Sequence, residues 1–193
     1  MKLIYRKETK DLVKGCKAGN AECQRQLYER YVDKMYMVCM RYARDEMEAQ
    51  DMLQDGFVRV FNKINTFKGE GSLEGWIRRV IVNVAIRHCQ NRNRHNQLMS
   101  INDVEEKISV PTSEIDFDYE DLIKMVRSLP DGYQTVFNLY AIEGFSHKEI
   151  AAKLGISEGT SKSQVARARQ QLTRMVNRYR YFHGKVKGEQ SAG

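Results

Sequence analysis

The sequence predicts an all-α protein of two small helical domains joined by an acidic linker, and three observations predict it. Apolar residues recur at intervals of three and four along the first hundred residues. Near residue 155 a glycine turn is flanked by helix-capping residues. The charge of the chain changes sign twice along its length. Only 2 of 193 residues are proline, and neither Pro111 nor Pro130 interrupts an apolar stripe, so helices can run unbroken.

The first elements are three amphipathic helices packed as an N-terminal bundle. Leu27, Tyr31, Met35, Val38 and Tyr42 share one helix face. A second stripe runs through Ala49, Met52, Leu53, Phe57, Val60, Phe61 and Ile64. A third runs through Trp76, Ile77, Val80, Ile81, Val84 and Ala85, after the loop Thr66 to Ser72. Gly56 interrupts the second helix at a cost of about 0.5–1 kcal/mol relative to alanine, which suggests a close neighbour there.

The faces opposite these stripes differ in sign. The second helix exposes Glu48, Asp51 and Asp55, with Gln54 beside them. Carboxylates on one solvated face lack the burial or convergence that acid–base catalysis or metal binding needs, so a protein-docking face or a simple solvated face fits better. No catalytic or metal site is expected. The third helix exposes Arg78, Arg79, Asn83, Arg87, Asn91, Arg92 and Arg94. Arginine forks hold phosphate and asparagine reads base edges, so this surface and the loop carrying Phe67 suit unstacked bases; a cationic helix with Phe67 in the core is the plainer alternative. Trp76, within the apolar stripe, belongs to the core.

Counting charge by segment sets the domain boundaries. Residues 1–100 hold nineteen Lys and Arg against twelve Asp and Glu; residues 101–121 hold one against eight; residues 122–193 hold twelve against five. Two basic bodies separated by an acidic strap suit a polyanion, because Lys and Arg gain affinity for phosphate by releasing condensed counterions. The expected division is 1–95 for the N-terminal domain, 96–120 for the linker, 121–183 for the C-terminal domain and 184–193 for a flexible tail.

In the C-terminal domain, Ser146 and Glu149 form a capping box that opens a short helix with Ile150, Ala151 and Leu154 inward. Gly155-Ile156 turns the chain, and Ser157 caps a longer helix with Val165, Ala168 and Leu172 inward. This pattern is a helix-turn-helix. It leaves Lys162, Ser163, Ala166, Arg167 and Gln170 outward, where a recognition helix meets the major groove. No acidic residue occurs from Gly159 to Gly188. His147 and His183 read as surface polar groups.

Composition excludes other classes. At 41% hydrophobic and 30% charged residues the chain is neither collagen-like nor disordered. Its longest apolar run, Met35 to Met40, is far too short to span a bilayer, and no signal-peptide pattern follows the first lysines. Cys16, Cys23, Cys39 and Cys89 show no CxxC spacing and suit a reducing cytoplasm. Neither a metal nor an organic cofactor is expected, since His88-Cys89 has no second ligand pair to complete a tetrahedron.

Taken together these stretches resemble a bacterial extracytoplasmic-function sigma factor of the sigma-70 family, over about residues 10–180. The resemblance lies in Leu27 to Tyr31, Ala49 to Asp55, Phe67 to Ser72 with Trp76, Arg79 and Asn83, and Leu129-Pro130 through Glu143 to Ala151 and Gly159 to Arg169. It implies an RNA polymerase sigma factor, not an enzyme, that gives core polymerase its promoter specificity. Asp51, Gln54 and Asp55 would dock on the beta-prime clamp helices. Phe67, Lys68, Gly69, Ser72, Arg79, Asn83 and Arg87 would bind the minus-ten element, capturing a flipped base and nucleating melting. Lys162, Ser163 and Arg167 would face the minus-thirty-five element, with Lys148 and Thr160 on phosphates.

The implied partners are core RNA polymerase, also touched at its beta flap, promoter DNA and, from the family alone, an anti-sigma factor. The factor would act as a cytoplasmic monomer on the polymerase, without inserting into a membrane, and its acidic linker would thread into the enzyme. Three positions depart from the family pattern: Ser161 where an apolar residue is usual, Ala166 without a polar group, and Gly56 after the docking motif. A stand-alone helix-turn-helix regulator is the alternative, distinguished by footprinting its site without core enzyme.

Overall fold

The computed structural model describes the backbone of residues 2–97 and 119–190, and side chains over 8–92 and 120–181. The described residues contain helices and no strand, in the order α1 (Lys2–Lys17), α2 (Ala21–Met40), α3 (Glu46–Lys63), α4 (Leu73–Gln97), α5 (Tyr119–Arg127), α6 (Asp131–Phe137), α7 (His147–Leu154) and α8 (Glu158–Gln190). The chain divides into two compact units, Met1–Cys89 and Gln90–Gly193. Nearly all of the expected acidic linker, 96–120, lies outside the described residues. Helical backbone continues to Gln190, into the stretch 184–193 expected as a tail.

In the first unit α2, α3 and α4 each start where a short polar side chain meets an orphan backbone N–H. The Asn20 side chain accepts from Cys23 N–H at 2.9 Å, and Asp45 from Glu48 N–H at 2.8 Å. Ser72 accepts from Gly75 N–H at 3.0 Å to open α4. The helices bury the faces that periodicity marked. Leu27, Tyr31, Met35, Val38 and Tyr42 are all buried, as are Ala49, Met52, Leu53, Phe57, Val60 and Ile64. In α4, Ile77, Ile81, Val84 and Ala85 are buried, with Trp76 and Val80 half-buried.

α1 lies outside the three stripes, and of its described side chains it buries Leu12, Val13 and Cys16, which recur at helical spacing in a lysine-rich segment. It seats on α2 through a glycine: a Cβ at Gly15 would collide with the Cys23 side chain. The same device joins α3 to α4, where a Cβ at Gly56 would collide with Ile81 Cδ1. The close neighbour expected at Gly56 is therefore Ile81.

In the second unit Pro130 stands at the N-cap of α6, and the chain then forms a short π-helix, Asn138–Ile142, that buries Asn138 and Leu139. Ser146 and Glu149 make the full capping box of α7, with Ser146 N–H donating to Glu149 Oε2 at 2.8 Å. Gly155 ends α7 at φ 70, a left-handed conformation that suits glycine. Thr160 N–H donates to Ser157 Oγ at 2.9 Å to open α8. Ile150, Val165 and Ala168 are buried between the two helices, with Ala151, Leu154 and Leu172 half-buried. The helix-turn-helix is present.

The glycine-tight seam can be tested by filling it. Gly56→Ala should destabilise the first unit by about 1–3 kcal/mol despite alanine's better helix propensity, because it overpacks a full core. Ile81→Val, which lacks Cδ1, should recover part of that loss in the double variant. Denaturant unfolding of the four-member cycle measures the coupling.

The buried thiols give the fold a pH dependence. All four cysteines are unbridged thiols. Burial pushes the Cys39 thiol up to about 12, and burial with Cys23 nearby pushes Cys16 up to about 11, from an ordinary 9.0. Above pH 9 the unfolded chain loses these protons while the folded unit keeps them, so stability falls as pH rises from 9 toward 11; below pH 9 these thiols add no pH dependence. Thermal unfolding across that window should show the fall, and Cys39→Ala should make it shallower than in the parent.

Candidate nucleic-acid interface

α3 carries the acidic face. Asp51, Gln54 and Asp55 are exposed, whereas Glu48 is half-buried and accepts the Arg44 N–H at 2.7 Å, which commits it to helix capping. Asp55 is held by α4 through His88, Nε2 to Oδ2 at 2.9 Å. Two apolar side chains frame the face, Met47 at 74% and Val58 at 55% exposure. They were legible as apolar residues off the core stripe, at four before Asp51 and three after Asp55. Among the described residues no group of three His, Cys, Asp or Glu side chains could hold a metal ion.

The loop between α3 and α4 is the second feature. Phe67 is buried and lies 5.5 Å, ring centre to ring centre, from Trp76. Its carbonyl accepts from Lys17 Nζ of α1 at 2.7 Å. The phenyl ring therefore fixes the root of the loop, and Lys68, Gly69 and Ser72 are the exposed members. Gly69 and Gly71 both sit at φ 81, a left-handed conformation that suits glycine. Beyond it Arg79, Asn83 and Arg87 are exposed at intervals of four along α4, one stripe on one face. A cleft of about 860 Å³ opens between this loop, the start of α4 and α1.

In the second unit the start of α8 carries the residues expected to form a recognition surface. Lys162, Ser163, Ala166, Arg167 and Gln170 are exposed, and Lys148 is exposed in the first turn of α7. Thr160 is half-buried, its hydroxyl 2.8 Å from Ser157 Oγ. Arg167 Nη1 donates to the Tyr133 hydroxyl of α6 at 3.1 Å, which orients the guanidinium.

Behind this surface lies a polar stack that residue type alone did not disclose. Ser161 is fully buried, and its hydroxyl meets His147 Nδ1 at 3.0 Å. The His147 ring stacks on Tyr140, centroids 4.4 Å apart at 14°, and the Arg169 guanidinium lies 5.5 Å from the centre of the Tyr140 ring. His147 is thus half-buried and structural, where a surface group was expected. It also accounts for the serine at 161.

Known proteins share these features. The sequence model of Sigma-70 region 2 matches residues 27–95, and that of Sigma-70, region 4 matches residues 119–172. The two regions stand in chain order over well over half of the sequence. The chain belongs to the extracytoplasmic-function group of the sigma-70 family. Its region 2 contains the acidic face, the loop and the basic stripe; its region 4 contains the helix-turn-helix.

Among the relatives of this sigma factor is ECF RNA polymerase sigma factor SigE of Mycolicibacterium smegmatis, 28% identical over 76% of this chain and 59% of that protein. Another is ECF RNA polymerase sigma factor SigM of Bacillus subtilis, 26% identical over 79% and 94%. Sigma factor RpoE of Bartonella quintana, solved in complex with the anti-sigma factor NepR, shares the fold at TM-score 0.50 and 23% identity, covering 79% of this chain and 95% of that one. Among the described residues no helix is long and apolar enough to cross a membrane.

Proposed function

We propose that this sigma factor docks on core RNA polymerase through the acidic face of α3 and directs it to promoters through two DNA surfaces, one on each unit. The observation that carries the reading is the segregation of charge by element: an acidic face on α3 of an otherwise basic unit, and basic surfaces on α4 and at the start of α8. Asp51, Gln54 and Asp55 supply charge for the beta-prime clamp helices, with Met47 and Val58 adding apolar area at either end. Rim charges of this kind set orientation and on-rate, and apolar neighbours add to the energy.

Lys68, Gly69, Ser72, Arg79, Asn83 and Arg87 are the minus-ten surface. In this role the exposed tip of the loop and Asn83 receive a base that has left its stack, while the arginines hold phosphates. Phe67 contributes as the buried anchor of the loop. Lys162, Ser163 and Arg167 read the minus-thirty-five element in the major groove, and Lys148 and Thr160 hold its backbone. The factor acts by binding, without catalytic chemistry, in the cytoplasm where polymerase works. An anti-sigma factor is a further proposed partner.

Multi-round transcription with purified core polymerase on a library of promoter-length fragments tests the reading. New start sites sharing two spaced upstream motifs are the expected result; a footprint obtained without core enzyme would favour a stand-alone regulator. Asp51→Lys with Asp55→Lys should abolish polymerase binding with the helical fold retained, measured by gel filtration with core and by circular dichroism. Retained binding would remove the docking assignment. Arg167→Ala should weaken promoter use by about 1–3 kcal/mol at a base contact and relax selectivity there. An unchanged start-site profile would count against that contact.

A further inference from the structure

The hairpin that joins α1 to α2 brings two thiols together. Cys16 is the last buried residue of α1, at 2% exposure, and Cys23 lies half-buried in the first turn of α2. Hydrogen bonds of the turn hold the backbone of both. Cys16 O accepts from Gly19 N–H at 3.1 Å, Gly15 O from Asn20 N–H at 3.0 Å, and the Asn20 side chain from Cys23 N–H at 2.9 Å. Gly19 closes the turn at φ 75, in the left-handed conformation. The Cys23 sulfur rests against the α1 backbone at Gly15, the residue before Cys16, where a Cβ would collide with it. Both cysteines are unbridged, and the charge of a Cys23 thiolate is felt at Cys16.

We propose that Cys16 and Cys23 form a reversible disulfide on exposure to hydrogen peroxide, and that this bond makes the α1–α2 hairpin a redox switch for the 67–72 loop. Cys23, the more accessible of the two, attacks the peroxide as the thiolate; the O–O bond breaks, the sulfur takes one oxygen as sulfenic acid, and the other oxygen leaves as water. The Cys16 sulfur then attacks the sulfenic sulfur. The S–S bond forms, the S–O bond breaks, and the Cys16 proton leaves with the hydroxyl as a second water. The thiol pair is oxidised and the peroxide reduced, with no further reactant. Burial, and after it the Cys23 thiolate, holds the Cys16 proton up to about 11. Oxidation of Cys23 to a neutral sulfenic acid removes the second cause, so Cys16 reacts more readily once its partner has. Transient disulfides of this kind are the form such bonds take in a reducing compartment.

Lys17 links the hairpin to the loop. It follows Cys16 directly, and its ammonium donates to the Phe67 carbonyl at 2.7 Å. Drawing the Cys16 sulfur out of the core to within about 2 Å of the Cys23 sulfur turns the last residues of α1 and takes Lys17 off that carbonyl. The effect on promoters rests on the reading of this loop as part of the minus-ten surface; the disulfide itself does not.

The full chain is treated with hydrogen peroxide, freed of it, blocked at its remaining thiols and digested with trypsin without reductant. Cleavage after Lys14, Lys17 and Arg25 puts the two thiols on separate peptides, 15–17 and 18–25. The expected product is these two joined by one disulfide, lost on adding dithiothreitol and absent from Cys23→Ser and from Cys16→Ala. Oxidised factor added to core polymerase should open promoters severalfold more slowly than reduced factor, with dithiothreitol restoring the rate. Cys23→Ser should open them equally fast before and after peroxide.

A disulfide-linked dimer, a joined peptide containing Cys39 or Cys89, or Cys23 carried to sulfinic acid with Cys16 still a thiol would overturn the pair. A mapped bond between Cys16 and Cys23 with unchanged promoter opening would overturn the switch and leave the minus-ten reading intact. A reduced factor that opens no promoter would instead sink the minus-ten reading, and the peptide map of the free chain would still decide the disulfide.

Discussion

The close approach of α3 and α4 at Gly56 is the constraint on which the first unit depends. Only a residue without a Cβ lets the Ile81 side chain reach the α3 backbone, and that contact brings together two helices whose outer surfaces carry opposite charge. Asp55 on the acidic face bonds to His88 on the helix of the basic stripe, one residue beyond Arg87. The seam between the two surfaces is thus a short hydrogen bond across a glycine-tight packing. Tight core packing and separation of binding surfaces are here one feature, seen from inside and from outside.

The second unit solves a related problem with polar groups. A helix-turn-helix has few residues with which to fix the angle between its helices, and here Ser161 and His147 do so from inside. Tyr140 and Arg169 extend the stack to the surface, so the first turns of α8 are braced against both α7 and the segment before it. A buried hydrogen-bonded pair gives direction that an apolar contact lacks, at the cost of needing both members present. The exposed side chains Lys162, Ser163, Ala166, Arg167 and Gln170 are not drawn into the stack; Arg167 rests instead against Tyr133 of α6.

Much of this was legible in the sequence because it depends on local periodicity and capping. The four residues from Leu27 to Val38 share one buried face of α2 as their spacing requires, while Tyr42, expected on the same face, is buried in the turn beyond the helix; the Ser146 capping box forms as written, and Lys162, Ser163, Ala166, Arg167 and Gln170 all point outward. What escaped depends on contacts between distant segments. α1 carries Leu12, Val13 and Cys16 at helical spacing among many lysines, but its seat is made by Gly15 against Cys23, a pair whose proximity no periodicity encodes. Phe67 could be assigned to a binding loop or to the core from its position alone; its neighbour Trp76 settles it into the core. His147 reads as a surface group in the sequence because its partner, Ser161, stands fourteen residues away on another helix.

The stretch recognisable as region 2 begins at residue 27, after α1 has ended. The physical unit begins earlier, because Leu12, Val13 and Cys16 are part of its core and Lys17 holds the loop carbonyl fifty residues downstream. A fragment cut at the edge of the region 2 match would keep every residue that this match covers. It would still expose the flank of α2 and release the loop, and it would be a poor stand-in for the intact factor. In this chain the edge of the region 2 match and the edge of the folding unit are different places.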